Sequence, residues 1–352
     1  NILKAAAGQL CMLRENAAGI LLNAAAEMNL SVLKPLRIKL CILSIKLYDR
    51  FPKRSIKYTM FDFRKIELSD KNWIKELLAK SDFRGCEYSF ANNLAWNRHY
   101  ETKICRYKDF YISGSRKEGL YFTFPAGEGD YKELFTELRK YAAESNSPLV
   151  ISSVTPEKLP IFEEYFPDEY TVSSDPADYD YVYRAENLRE LAGKKFHGKR
   201  NHLKRFYENN WSYNVMTEAD FDECIEFAVK NYNDSNAYDN ESSVGEQFAI
   251  NTFFNYFYEL ELMGGVIRVD GKVEGFTIGS RINSDTMDTH IEKANSEING
   301  AYTAVMNEFA KSASNDFTYI NREEDLGIEG LRRSKRSYYP EFQIVKNVVT
   351  FK

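Results

Sequence analysis

Residues 264–321 read GGVIRVDGKVEGFTIGSRINSDTMDTHIEKANSEINGAYTAVMNEFAKSASNDFTYIN, and this stretch decides the fold. Val266–Val269 and Val273–Ile282 are apolar, β-branched runs joined by Asp270-Gly271, a dipeptide suited to a hairpin turn whose central residues need positive φ. Asp285–Glu292 predicts a third strand beside them. The period then changes from two to 3.6, and Tyr302, Val305, Met306, Phe309 and Ala310 fall on one helical stripe. Thr318–Asn321 predicts a short strand, Ile328–Tyr338 a second helix and Gln343–Phe351 a closing strand.

The same programme occurs earlier in the chain. Ile104–Tyr107, Phe110–Ser113 and Leu120–Phe124 predict short strands, and Asp130 caps a helix that aligns Tyr131, Leu134, Phe135, Leu138 and Ala142. Leu149–Ser152, a helix opened by Thr155-Pro156, and the strand Tyr179–Tyr183 complete it. An antiparallel meander followed by helix, strand, helix and strand is the element order of the GNAT (acyltransferase) fold. The predicted fold class is therefore α+β: two tandem GNAT-like lobes, 60–184 and 185–352, each a mixed, mainly antiparallel sheet with flanking helices. Between the two programmes, 186–209 reads as one long basic helix, followed by helices at Phe221–Asn231 and Val244–Tyr258.

Residues 1–59 differ from the rest, with ten Lys and Arg against three Asp and Glu. Met60 opens an ordinary first strand and helix. The extension reads either as sequence upstream of the true start or as an amphipathic membrane-surface segment. Ala17–Leu33 is too short and too interrupted by Asn23, Glu27 and Asn29 to span a bilayer.

The 352 residues suffice for two cores, and 43% apolar with 28% charged residues is the balance of a globular chain. A net charge of −5 excludes a molecule-wide attraction for nucleic acid, so any basic contact must be local. Cys11, Cys41, Cys86, Cys105 and Cys224 are dispersed, as are His99, His197, His202 and His290. No pair has zinc-ligand spacing, which predicts a reducing cytoplasmic setting and no metal. There is no GxSxG, P-loop or HExxH motif.

Three segments are candidates for chemistry. In KKFHGKRNHLKRF (194–206), wound as one helix, Lys199 falls within the apolar stripe of Leu188, Ala192, Phe196, Leu203 and Phe206. It then either faces a cleft or, if Gly198 breaks the register, lies exposed. Lys195, Lys199, Arg200 and Asn201 are candidate substrate ligands on a surface that can follow a phosphate backbone, or they form a solvated face. In NREEDLGIEGLRRSKRSYYP (321–340), acids at a strand end feed a basic helix. Glu323 or Asp325 can act as a general base, or Asp325 can cap a loop, while Arg332 is a candidate anion ligand. The turns Gly127-Glu128-Gly129 and Glu297-Ile298-Asn299-Gly300-Ala301 precede the two main helices. Both lack a full pyrophosphate cradle and place a carboxylate where phosphates would sit, which argues against coenzyme A.

The runs DYVYRAENLRELAGKKFHGKRNHLKRF (180–206) and NREEDLGIEGLRRSKRSYYPE (321–341), with the doubled lobes, resemble the phosphatidylglycerol lysyltransferase C-terminal domain family. The resemblance covers roughly 60–352. It implies a tandem GNAT fold related to Fem-type aminoacyl ligases, aminoacyl-tRNA as co-substrate and no tightly bound cofactor. The implied acceptor is a small amine, a peptide or a lipid headgroup. The family's closing Gly-Leu-x-x-Phe-Lys-x-x-Phe pattern is met by Gly330, Leu331, Lys335 and Tyr338, with Ser334 replacing the first Phe. The resemblance thus makes Lys335 a candidate for stabilising the substrate carbonyl or carboxylate. Two other functions are compatible with these residues: a non-enzymatic scaffold holding a ligand or nucleic acid, and acyl-CoA-dependent N-acylation.

Overall fold

The computed structural model describes residues 60–115, 120–234 and 241–352. The segment 1–59 lies outside the described residues. In chain order the strands are β1 (Arg64–Lys65), β2 (Lys103–Tyr107), β3 (Phe110–Ser115), β4 (Leu120–Thr123), β5 (Ala126–Gly127), β6 (Leu149–Val154), β7 (Tyr170–Ser174) and β8 (Asp180–Arg184). They continue with β9 (Trp211–Val215), β10 (Met263–Val269), β11 (Lys272–Arg281), β12 (Thr286–Ala294), β13 (Tyr319–Asn321), β14 (Phe342–Ile344) and β15 (Asn347–Phe351). The longer helices are α1 (Lys71–Ser81), α2 (Phe90–Tyr100), α3 (Tyr131–Glu144), α4 (Leu159–Tyr165), α5 (Ala185–Glu190), α6 (His197–Phe206), α7 (Phe221–Asp234), α8 (Glu241–Asn255), α9 (Ala301–Ala313) and α10 (Glu329–Arg336).

One sheet runs β1-β2-β3-β4-β6-β15-β7, with β5 paired to β3; the other runs β14-β8-β13-β12-β11-β10-β9. Every pairing is antiparallel except β4–β6 and β12–β13, where a helix returns the chain in parallel. The fold is mixed α+β, two mainly antiparallel sheets with flanking helices in tandem GNAT-like order.

Two strands are exchanged. Tyr179–Tyr183 reads in sequence as the strand closing the first lobe, but β8 pairs with β13 and β14 of the second sheet. The chain's last strand, β15, pairs with β6 and β7 of the first sheet. Each sheet is therefore completed by a strand from the other half, and the sheets do not coincide with the sequence halves 60–184 and 185–352. Pattern alone does not separate these arrangements, because a buried strand has the same alternation in either sheet.

The core follows the same interlocking. Leu77 of α1, Phe90 of α2, Phe253 of α8 and Ile278 of β11 share one buried cluster. The α3 stripe packs as its spacing predicts: Leu134, Phe135, Leu138 and Ala142 are buried, and the Asp130 carboxylate caps the helix by accepting from Glu133 N. In α9, Val305, Met306, Phe309 and Ala310 are buried, but Tyr302 stands 43% exposed in the first turn.

The basic segment is not one helix. Leu191 ends α5 in a left-handed conformation (φ 46°), and Gly193 (φ 81°) turns the chain before α6 begins. Leu188, Phe196, Leu203 and Phe206 are still buried, whereas Ala192 is exposed. The apolar stripe is thus assembled across a break.

Candidate active site

Four consecutive ionisable residues leave β13 and point in different directions. Asn321, the last residue of β13, accepts from the Glu323 backbone N–H through its own side chain (2.7 Å). Glu323 sits in the left-handed region (φ 55°), a conformation that tightens the turn at about 1–3 kcal/mol of strain. The Lys335 ammonium holds the loop from beneath, donating to the backbone carbonyls of Arg322, Glu323 (3.1 Å) and Glu324 (2.6 Å).

Asp325 and its neighbours form an internal clamp. Its carboxylate accepts from Arg332 Nε (2.8 Å), Arg332 Nη2 (2.9 Å), Tyr181 Oη (2.7 Å) and Gly327 N (2.9 Å). The Arg332 bond, followed by the Tyr181 and Gly327 bonds, holds the carboxyl at about 2 against the pull of burial. Asp325 is therefore a poor base near neutrality. Arg332 is engaged by it and not presented as a free anion ligand. The three N–H groups of Lys335 meet three backbone carbonyls, so in this structure its ammonium holds the loop.

Glu323 and Glu324 face two buried clusters. In the first, Lys346 Nζ lies 2.6 Å from Asp180, 3.0 Å from Glu87 and 4.0 Å from Glu324. Cys86 donates its backbone N–H to Asp180 (2.9 Å), and its Sγ lies 3.4 Å from Glu324. Asp180 is the first residue of β8 and Lys346 lies in the linker just before β15, so this cluster sits where the exchanged strands cross.

The second cluster is Asp288, His290 and Glu323. The β11–β12 register shifts so that Ile278 faces Ile291 while Gly279 faces Thr289. His290 is the extra residue of this bulge, a device that re-aims a side chain. His290 Nε2 meets Ser280 Oγ at 2.8 Å, and Phe253 stacks on the ring at 5.2 Å. His290 Nδ1 lies 3.4 Å from Asp288 and 3.6 Å from Glu323. Asn92 of α2 donates to Glu323 Oε1 (3.0 Å).

Crowded carboxyls in this interior resist ionisation. Burial raises Glu323 to about 8 and Glu324 to about 7, with Asp180 adding to both and Lys346 opposing. Burial and the Glu323 charge push Asp288 well above its ordinary range, and burial lowers His290 to about 3, leaving a neutral imidazole. Glu323 and Glu324 keep 19% and 23% of their side-chain surface open. A cavity of about 280 Å³ is lined in part by Lys71, Ser89, Phe90 and Ser280, the last of which bonds His290.

Arg322 turns the other way. It pairs with Glu292 at 2.6 Å, and its guanidinium lies over the rings of Tyr338 (4.9 Å) and Tyr183 (5.6 Å). Lys199 Nζ lies over the same Tyr338 ring at 3.7 Å. Burial, then the Arg322 charge, lowers Lys199 to about 8. Lys199 and Lys335 thus meet one neighbourhood through Arg322 and Tyr338.

The other basic-segment candidates separate. Arg200 donates from Nη1 to the Leu191 (2.6 Å) and Gly193 (2.7 Å) carbonyls and so ties the end of α5. Lys195 is exposed beside Phe196 and Tyr339, and Asn201 is exposed against His197. A Cβ on Gly300, at the start of α9, would stand 2.2 Å from the His202 carbonyl oxygen. The backbone of α6 therefore covers the place where a pyrophosphate would meet this helix, reinforcing the argument against coenzyme A.

The fold defines a tandem GNAT-like domain. Residues 78–346 match the family described as phosphatidylglycerol lysyltransferase, C-terminal, and the chain belongs to that family. It is similar to a conserved protein of unknown function from Bacteroides thetaiotaomicron: 34% identity, 83% of this chain and 100% of that one, TM-score 0.80. The structure of L-PGS from Bacillus licheniformis shares the fold at 12% identity and TM-score 0.54, over 79% of this chain and 90% of that one. An uncharacterised protein of Mycoplasmoides gallisepticum is 23% identical over 178 residues, 48% of this chain. The chain matches 55% of that curated relative's length. Among the described residues, no helix is long and apolar enough to cross a membrane.

Sequence reasoning missed Asp180, Asp288, His290, Arg322, Glu324 and Lys346 as site residues. The available signal was Asp288-x-His290, two ionisable residues two apart on an expected strand, and therefore on one face where the alternation is regular. Nothing local marks Cys86 or Asn92, which arrive from a loop and a helix far away in sequence.

Proposed function

We propose that this chain transfers an aminoacyl group from aminoacyl-tRNA to an amine or hydroxyl acceptor: a small amine, a peptide or a lipid headgroup. The observation that carries the reading is the Arg322–Asp325 loop, which separates an acidic side from a basic one at a strand end. Family membership supports it. The exposed Lys194, Lys195, Lys204 and Arg205 give a tRNA backbone a local positive track despite the negative net charge.

In this reading the acceptor O–H or N–H meets Glu324, whose carboxyl is the more open of the two. Glu324 takes the proton as the acceptor attacks the ester carbonyl. Lys199 is the cation assigned to the developing oxyanion, and the buried Arg322, on the same Tyr338 ring, adds its charge from behind. When the ester C–O bond breaks, the ribose oxygen takes the proton from Glu324.

The test is transfer from a pool of tRNAs carrying labelled amino acids, in the presence of each acceptor class. Glu324→Gln should lower transfer by about 10²–10⁴-fold while leaving tRNA binding intact. Lys199 is charged below about 8, so its share of the transfer rate should fade between about pH 7 and 9, and that step should be absent from Lys199→Met. A wild-type rate in Glu324→Gln, or no transfer from any charged tRNA, would refute the proposal.

A further inference from the structure

The two buried acid clusters differ in one respect. In the Asp180 cluster the chain supplies its own cation, Lys346. In the Asp288 cluster, among the described residues, no Lys or Arg pairs with either carboxylate, and the Lys335 ammonium lies on the Glu323 backbone carbonyl instead. Asp288 Oδ1, Asp288 Oδ2, His290 Nδ1 and Asn92 Oδ1 are all buried and lack a hydrogen-bond partner. Such orphaned groups are rare in native interiors because each forfeits its hydration.

We propose that Asp288, His290 and Glu323 bind a divalent first-row transition metal of the zinc type. Ligand atoms of the three residues lie within 4.8 Å of one another. The His290 Nδ1 distances of 3.4 Å to Asp288 and 3.6 Å to Glu323 are close to the edge of a tetrahedron, about 3.3–3.4 Å for ligands about 2.0–2.1 Å from the metal. One imidazole with two carboxylates is a donor set that such ions accept. The outer contacts fit as well. With Nδ1 on the metal, His290 Nε2–H donates to Ser280 Oγ, the arrangement that fixes a ligating histidine's tautomer. Asn92 orients Glu323 by donating to Oε1. The bulge that turns His290 inward gives the centre its local geometry. Access is from the Glu323 side, since the Asp288 and His290 side chains are fully buried. This inference goes beyond aminoacyl transfer and does not rest on it.

The experiment is metal binding by the full chain after chelator treatment, with Zn²⁺ measured by equilibrium dialysis and Co²⁺ by visible absorption. One equivalent should bind, with the intense visible bands of four-coordinate Co²⁺ and no thiolate charge-transfer band. Asp288→Asn and His290→Gln should each weaken binding by more than about 100-fold, while Cys86→Ser leaves it unchanged. Should Asp288→Asn fail to fold, Glu323→Gln tests the same centre from its partly open side. No binding at millimolar metal, or binding indifferent to these substitutions, overturns the proposal. So does a thermal shift produced by ethanolammonium chloride and by neither metal, because the cluster would then be an ammonium site. None of these readouts measures transfer, so failure here and failure of the enzymatic reading are distinguishable.

Discussion

Lys346→Met tests the crossing of the exchanged strands. The Lys346 ammonium sits 2.6 Å from Asp180, whose side chain is fully buried, and 3.0 Å from Glu87. Removing it leaves the Asp180 charge with two N–H bonds, from Cys86 N (2.9 Å) and Asn321 Nδ2 (2.9 Å), and the weak Cys86 Sγ contact at 3.5 Å. Breaking one side of a buried pair costs about 3–5 kcal/mol, and the two surviving bonds favour the lower end, about 3 kcal/mol. At roughly 2 °C per kcal/mol for a domain of this size, the melting temperature should fall by about 6 °C at pH 7, read by scanning calorimetry.

The pH dependence has a definite sign. Burial pushes the Asp180 carboxyl up, but Lys346 and the bonds from Asn321 and Cys86 outweigh it, so the folded group titrates below its ordinary range. Its stabilisation is present above the unfolded pKa of about 3.9 and disappears as pH falls through the lower folded value. In Lys346→Met the burial effect dominates, so the penalty is largest at neutral pH and shrinks toward acid. Asp180→Asn combined with Lys346→Met should recover much of the loss, because neither charge remains to be desolvated. A single variant melting within about 1 °C of the parent would refute this reasoning, as would a double variant less stable than the single.

Two further outcomes follow from local geometry. Gly300→Ala should destabilise the fold by more than about 1 kcal/mol, because φ is 86° and the new Cβ would meet the His202 carbonyl at 2.2 Å; urea unfolding measures the loss. Asp70, held at about 2 chiefly by its Arg64 bond and also accepting from Trp73 Nε1 and Glu67 N, should contribute stability above about pH 4 that is lost toward pH 2. Acid titration of Asp70→Asn should therefore show a shallower fall in stability across that window.

Much of the element order was legible because burial writes its period into the chain. The β10–β11 hairpin at Asp270-Gly271, the α3 stripe and the α9 stripe from Val305 onward all form where their spacing places them. The exchange of β8 and β15 was not legible, since alternation specifies which face is buried but not which neighbour pairs. Helix α2 also escaped notice. Its apolar moment is weak in FANNLAWNRHY, yet it carries Asn92 to Glu323. Glu323 and Asp325 could be suspected from acids at a strand end, whereas Glu324 was not singled out. Separating Glu324 from Asp325 required seeing that Arg332 and Tyr181 already claim Asp325. Lys335 occupies the pattern's lysine position, and its ammonium is turned toward the loop's own carbonyls, an orientation no motif spells out.

The duplicated fold is asymmetric where chemistry is concerned. After β13 the chain places Arg322, Glu323, Glu324 and Asp325; after β6 it places Thr155 and Pro156, which start a short 3-10 turn. The first half therefore does not duplicate the acid loop. It contributes the walls: Arg84 accepts from Asn321 through its backbone oxygen, Cys86 contacts Asp180 and Glu324, and Asn92 holds Glu323. A site assembled this way depends on strand exchange, since Asp180 and Lys346 meet only because β8 and β15 cross between the sheets. Surface changes on α6 should then alter affinity without disturbing the acid loop, whereas Lys346→Met should lower both stability and transfer. Unchanged transfer in a measurably destabilised Lys346→Met would separate the crossing from the chemistry and place the reacting groups on the Arg322 side alone.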